Sequence, residues 1–284
     1  MPLTINNPIP LAQAITYIRE RQCREFEASS SWGHPGHGMI ERPWLNTSPP
    51  RPRNGYMRIQ SADGRAVLKA NDRADYGIYG HNCNLSKIAG FDIEGALAAG
   101  IWVHMGEGSR VTDCEVSKSA VGLYSDGSNA SVFDHLHLFQ NRIAGAYITN
   151  ANPGNGGCSM RNCMVQLNEG HGIHVKIDPS GQAQLRDNSF EQNRGHGIYI
   201  ERGHAVITGG TIKGANASGH QAIYIGPGCT SALIEGVNLA ASDGGYHGYA
   251  RIMVAESVQS RVVVKNCRLS SKGLLIEPTI VVGI

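Results

Sequence analysis

Charge of one sign, aromatic residues and long apolar runs are all scarce in this chain of 284 residues. Lys and Arg number 25 against 23 Asp and Glu, a formal net charge of +2, too small and too evenly spread for a nucleic-acid footprint. No apolar run approaches the roughly 20 residues needed to cross a bilayer. The opening MPLTINNPIPLAQAI lacks a cationic stretch followed by an apolar one, so neither a membrane partner nor an export signal is expected. A native Met1 would make the chain cytoplasmic or virion-associated, and a removed leader would make it secreted. Seven cysteines show no CxxC and no paired spacing, which argues for reduced thiols and against both a disulfide framework and a zinc site. A G-X-Y triplet is also missing, so collagen is excluded.

What the chain does have is glycine and a repeat. Gly stands at 36 of 284 residues, about twice ordinary usage of ~7%, which implies frequent tight turning. From Gly77 onward one phrase restarts: GIYGHN, GIWVHM, GLYSDG, GAYITN, GIHVKI, GIYIER and AIYIGP, at residues 77, 100, 122, 145, 172, 197 and 222. The steps between openings are 23, 22, 23, 27, 25 and 25 residues. Between them runs a second phrase, IAGFDI, VTDCEV, FDHLHL, MRNCMV, LRDNSF, ITGGTI, IEGVNL and VKNCRL. Alternating β-branched residues between Gly, Asn and Ser turns give two short strands per coil, and the LxxLxL of a leucine-rich repeat is absent. The expected fold is all-β, a single-stranded right-handed parallel β-helix of eight or nine coils over residues 55–284. Residues 1–54 are expected to form a capping α-helix, Leu11 to Gln22 in LAQAITYIRERQ, and an irregular Pro- and Gly-rich arm.

In a parallel stack, sequence columns become physical columns about 4.8 Å apart. The inward column of the second phrase reads Phe91, Cys114, Leu136, Cys163, Asn188, Gly210, Val237, Cys267, which makes three cysteines small core residues rather than nucleophiles. Asn141, Asn168 and Asn193 each stand four residues before an opening glycine, a spacing that predicts a ladder of side-chain amides along the turn. The apolar C-terminal LLIEPTIVVGI needs a cover, from a last coil or from a second subunit in a homo-oligomer.

MRIQSADGRAVLKAN followed by GIYGHNCNLSKIAGFDIEGALAAGIWV resembles the right-handed parallel β-helix of the pectate-lyase-like superfamily, over roughly residues 55 to 270. That group holds polysaccharide lyases, polygalacturonase-type hydrolases, mannuronan epimerases, phage depolymerases and non-catalytic adhesins, so the resemblance implies a fold more firmly than a reaction. The chain lacks the aspartate clusters of calcium-dependent pectate lyases and the DPHE of the epimerases. Of the NTD, GDD, GHG and RIK motifs of the polygalacturonases it carries only GHG, at 170–172 and again at 195–197. None of the three subfamilies is matched.

The resemblance places a substrate cleft on the outer face of the phrase-opening strands. With Ile101, Val103, Leu123, Ile148, Ile173, Val175, Ile198 and Ile200 inward, the first outward column reads Tyr79, Trp102, Tyr124, Tyr147, His174, Tyr199, Tyr224. The second reads His81, His104, Asp126, Thr149, Lys176, Glu201, Gly226, and His171 and His196 stack at the edge. Two readings stay open. One is an aromatic stack that only stabilises the sheet. The other, preferred here, is a groove for a polysaccharide or oligosaccharide, with rings for sugar faces and polar groups for hydroxyls and carboxylates.

Within the groove, β-elimination of a uronic acid asks least of the geometry. Lys176 would be the base, His174 or His104 would support it, and Arg202 or Arg194 would meet the carboxylate, although the charge of Glu201 would raise the lysine pKa. Hydrolysis needs two carboxyls about 5 to 9.5 Å apart, and Asp126 and Glu201 lie three coils apart, ~14 Å at the strand spacing. A His104–Asp126 acid/base pair would suit isomerisation or epimerisation. A non-catalytic binding module or fibre is the remaining alternative. His34 and His37 fall in the arm, His135 and His137 point outward on another sheet, and His204, His220 and His247 fall in turns. No three of these converge in the sequence, so neither a metal nor another cofactor is expected.

Overall fold

The computed structural model describes residues 9–10, 58–60, 66–70, 73–81, 84–150, 157–215, 220–239 and 252–268. The expected capping helix, the arm with His34 and His37, the C-terminal apolar segment and His247 lie outside them. No helix among the described residues is long and apolar enough to cross a membrane.

The described chain is a parallel β-solenoid. Every strand pair is parallel, and the strands assemble into an 8-stranded and a 15-stranded sheet. Each full turn has three strands rather than the expected two. An opening strand such as Tyr76–His81, Ala99–His104 or His171–Lys176 leads to a middle strand such as Lys87–Ala89 or Gln182–Arg186, and then to a closing strand such as Phe91–Glu94 or Ser189–Asn193. Six consecutive turns complete all three faces, beginning at Tyr76, Ala99, Val121, Ala144, His171 and Ile198; Ile223–Glu235, Ile252–Val254 and Val262–Lys265 extend the stack beyond them. The second sequence phrase is thus two strands folded around a corner. Its corner residue takes the left-handed conformation in coil after coil: Gly90 (φ 78°), Asp113 (54°), His135 (51°), Asn162 (53°), Asp187 (51°) and Asn266 (53°). Period-2 alternation continues on both sides of such a corner, so hydrophobic pattern alone reads straight through it.

Register follows the sequence columns. The opening strands pair Tyr79, Trp102, Tyr124, Tyr147, His174, Tyr199, Tyr224 and Met253 in succession. Their inward neighbours Ile78, Ile101, Leu123, Ala146, Ile173, Ile198, Ile223 and Ile252 form the core. The repeated glycine at each opening is imposed by close approach rather than by its torsion angles. A Cβ on Gly172 would sit 2.5 Å from the Gly197 carbonyl oxygen, and one on Gly122 2.5 Å from that of Gly145.

Two structural expectations hold. The three amides form a buried ladder: Asn141 Nδ2 donates to Asn168 Oδ1 at 3.0 Å, and Asn168 Nδ2 donates to Asn193 Oδ1 at 2.8 Å. Cys114 and Cys163 are buried free thiols in the core, with Cys267 partly covered. Burial pushes the Cys163 thiol up to about 12, which keeps it protonated and inert as a nucleophile.

Candidate functional site

The opening strands carry their outward side chains past two inward aliphatic columns, so the first outward column emerges as a continuous file of half-buried rings. Neighbouring centroids lie 5.0 Å apart for Tyr79–Trp102, 4.9 Å for Trp102–Tyr124, 5.2 Å for Tyr124–Tyr147, 4.7 Å for Tyr147–His174, 4.6 Å for His174–Tyr199 and 5.3 Å for Tyr199–Tyr224. The two halves differ in tilt. Trp102–Tyr124 and Tyr124–Tyr147 meet at 63° and 72°, whereas His174–Tyr199 and Tyr199–Tyr224 stack at 19° and 17°. Stacked rings cover one another's faces. Crossed rings meet edge to face, and Tyr76 and His104 pack against this half as well, stacking on Tyr79 at 5.3 Å and on Trp102 at 5.8 Å. Burial and the nearby Asp126 raise the Tyr124 phenol to about 12, which keeps it a neutral donor.

The second outward column forms as expected through His104, Asp126, Thr149 and Lys176. Tyr79 Oη lies 3.1 Å from His104 Nδ1, and His104 Nε2 lies 3.7 Å from Asp126 Oδ2. Beyond Lys176 the expected column is corrected. A bulge pairs Lys176 with Arg202 and Arg202 with Gly228, not with Glu201 and Gly226. Glu201 nevertheless reaches back: its carboxylate is 2.5 Å from Lys176 Nζ and 2.8 Å from His174 Nε2.

This triad decides the chemistry of the lysine. The hydrogen bond from Lys176 to Glu201 raises the ammonium pKa above its ordinary value, so Lys176 is a fixed cation and not the base expected of it. Burial pushes the Glu201 carboxyl up, but hydrogen bonds from Lys176 and His174 outweigh it and hold it below the usual range. Desolvation lowers the His174 pKa against the opposing pull of Glu201. In Glu201→Gln the Lys176 pKa is expected to fall only to the ordinary lysine range, as read by NMR of the lysine side chain. A value near neutrality would restore it as a base candidate.

Arg202 Nε donates to the Ile177 carbonyl oxygen at 2.9 Å, and Arg194 sits exposed in the turn between Asn193 and Gly195. Asp126 and Glu201 remain three turns apart, beyond the range for paired-carboxylate hydrolysis.

At the edge of the face the structure assembles what the sequence left apart. His171 and His196 stack at 5.2 Å with an interplanar angle of 4°, and His220 crosses His196 edge-on at 4.7 Å. One ring nitrogen of each lies within 4.8 Å of the other two. His220 was expected in an ordinary turn, and its convergence with the other two is a correction. The signal was present in GHG, GHG and GHQ at 170, 195 and 219; one extra residue before the Ala222 opening shifts the third histidine out of the column. Main-chain amides hold the first two rings: the His196 N–H donates to His171 Nδ1 at 3.0 Å, and the Gln221 N–H donates to His196 Nδ1 at 2.8 Å. Desolvation first, and the neighbouring histidines second, lower both pKa values from 6.5 to about 4. Beside them His220 Nδ1 and Gln221 Oε1 are buried without a hydrogen-bond partner.

No curated protein matches this chain. One protein-family model does, described as "NosD: Periplasmic copper-binding protein (NosD)", and it aligns with residues 60–266. That span is 207 of 284 residues, about 73% of the chain, and it coincides with the stack of coils that carries the ring file and the histidine trio. By its repeat, its fold and this match, the chain belongs to the NosD family.

Proposed function

We propose that the protein is a non-catalytic β-helix module that binds a glycan chain along its outer face. The observation that carries this reading is the unbroken file from Tyr79 to Tyr224, six rung spacings or roughly 29 Å long, with crossed rings in its N-terminal half. The imidazole of His104, the carboxylate of Asp126, the hydroxyl of Thr149 and the ammonium of Lys176 border it, as a sugar with alternating apolar faces and polar rims requires. Cleavage finds little support. Lys176 is locked as a cation by Glu201, the two carboxylates are too far apart for hydrolysis, and the buried thiols are not nucleophiles.

The name of the family points to copper, and the histidine trio is where the described residues could offer it nitrogen ligands. The trio does not fit. A metal-bound imidazole gives the lone pair of one nitrogen to the ion and donates the N–H of the other to an acceptor. In His171 and His196 the polarity is reversed, because Nδ1 accepts a main-chain N–H. The neutral ring must then carry its proton on Nε2, and neither nitrogen has a lone pair left for a metal.

Calorimetric titration with a panel of polysaccharides, read alongside assays for reducing ends and for the ultraviolet absorbance of unsaturated uronates, tests the glycan reading. Binding without product is expected, with Tyr124→Ala and Tyr147→Ala each weakening it about tenfold, the ~1.4 kcal/mol that one ring contact supplies. Product formation abolished by Lys176→Ala would overturn the non-catalytic reading. No binding to any glycan would overturn the reading altogether.

A further inference from the structure

The histidine trio remains unexplained by the ring file beside it. His171 abuts Tyr199 at a centroid distance of 5.3 Å, and His196 abuts Tyr224 at 4.9 Å, so any chain lying on the file runs alongside it. With Nδ1 of each ring engaged by the main chain of the next coil, the Nε2–H groups lie on the opposite side of their rings. The two rings are nearly parallel, so these two donors are held side by side, one coil apart. Gln221 Oε1 and His220 Nδ1, by contrast, are buried away from any ligand. The carboxylate of Glu201 is already taken up by Lys176 and His174, so it does not compete for the two N–H donors.

We infer that His171 and His196 form a selectivity site for a carboxylate-bearing sugar, in which the paired imidazole N–H groups bind the carboxylate. The inference rests on the glycan reading above and adds the chemical class of the ligand. A sugar acid brings, in one residue, both the acceptor that the two N–H groups lack and a ring face for the file beside them. A bare cation would meet N–H donors rather than lone pairs. An inorganic anion would bring nothing to the rings of the adjoining file.

Asparagine is the discriminating substitution, because its Oδ1 can take the place of histidine Nδ1 as acceptor for the main-chain N–H, while nothing replaces Nε2–H. The full chain and His171→Asn/His196→Asn are titrated with a uronate homopolymer, with its carboxyl-reduced neutral counterpart, and with Cu(I), Cu(II) and Zn(II) salts. Nitrogen-15 NMR of the histidine side chains reads the tautomers directly. The wild-type protein is expected to prefer the acidic polymer about tenfold, and the variant to bind both polymers alike at the wild-type affinity for the neutral one. His171 and His196 are expected as Nε2–H tautomers at neutral pH. Equal affinity of the wild-type protein for both polymers would overturn the carboxylate assignment while leaving the glycan reading intact. Absence of all glycan binding would remove both. Nδ1–H tautomers, or stoichiometric metal binding that the variant loses, would overturn the donor site whatever the glycans do.

Discussion

Replacing Asn168 with alanine is expected to lower the thermal midpoint by about 10 °C, a larger effect than any single substitution on the outer face. Asn168 is fully buried and is the middle rung of the amide ladder. Its Oδ1 accepts from both the backbone N–H and the Nδ2 of Asn141, at 2.9 and 3.0 Å. Its Nδ2 donates to the Leu138 carbonyl at 3.1 Å and to Asn193 Oδ1 at 2.8 Å. Truncation strands an amide N–H and a carbonyl where no water reaches them, at about 1–3 kcal/mol each, and the two neighbouring rungs lose their partner. A total near 4 kcal/mol, at ~2–4 °C per kcal/mol for a chain of this size, gives the stated shift. The exposed neighbour Glu169→Ala is the control, expected within about 0.5 kcal/mol. Calorimetry of both variants checks the pair, and a midpoint for Asn168→Ala within 2 °C of the parent would show that the ladder carries little stability.

Acid is expected to destabilise the protein in a window set by the stacked pair His171 and His196. Their folded pKa values are lowered, from 6.5 to about 4, so between those limits the unfolded chain binds protons that the folded one does not. Stability is therefore fully present above about pH 6.5 and falls as pH drops toward 4. Discounted for their partial exposure, the two rings together contribute on the order of 3 kcal/mol, or about 6–12 °C in midpoint. Glu94 and Glu201, whose carboxyl pKa values are lowered, lose their contribution only at more acidic pH. Their effect is thus separable. His171→Asn/His196→Asn should flatten the profile between pH 6.5 and 4, and unchanged curvature in that variant would assign the acid sensitivity elsewhere.

The same residues show how much of this protein could be read from its sequence. Inward and outward columns were legible because every coil repeats one phrase and a parallel stack converts sequence position into vertical neighbourhood. The seven-ring file, the amide ladder and the core cysteines all follow from that single rule. The three-strand coil was not legible, since a left-handed corner at Asp113, His135 or Asn162 changes direction without interrupting the alternation. Glu201 was misplaced by one position for a related reason. A bulge inserts a residue into one strand while the phrase that contains it, GIYIER, keeps its ordinary form.

The sequence by itself determined the fold class, the strand register as far as Lys176 and the outward aromatic column, because these depend on periodicity, which is a property of the chain. Only the tertiary structure decided that Lys176 is a held cation, that His220 joins His171 and His196, and which nitrogen of each stacked histidine faces the main chain. Those outcomes depend on side-chain reach and hydrogen-bond polarity across neighbouring coils, over distances of about 3 Å that no linear spacing encodes.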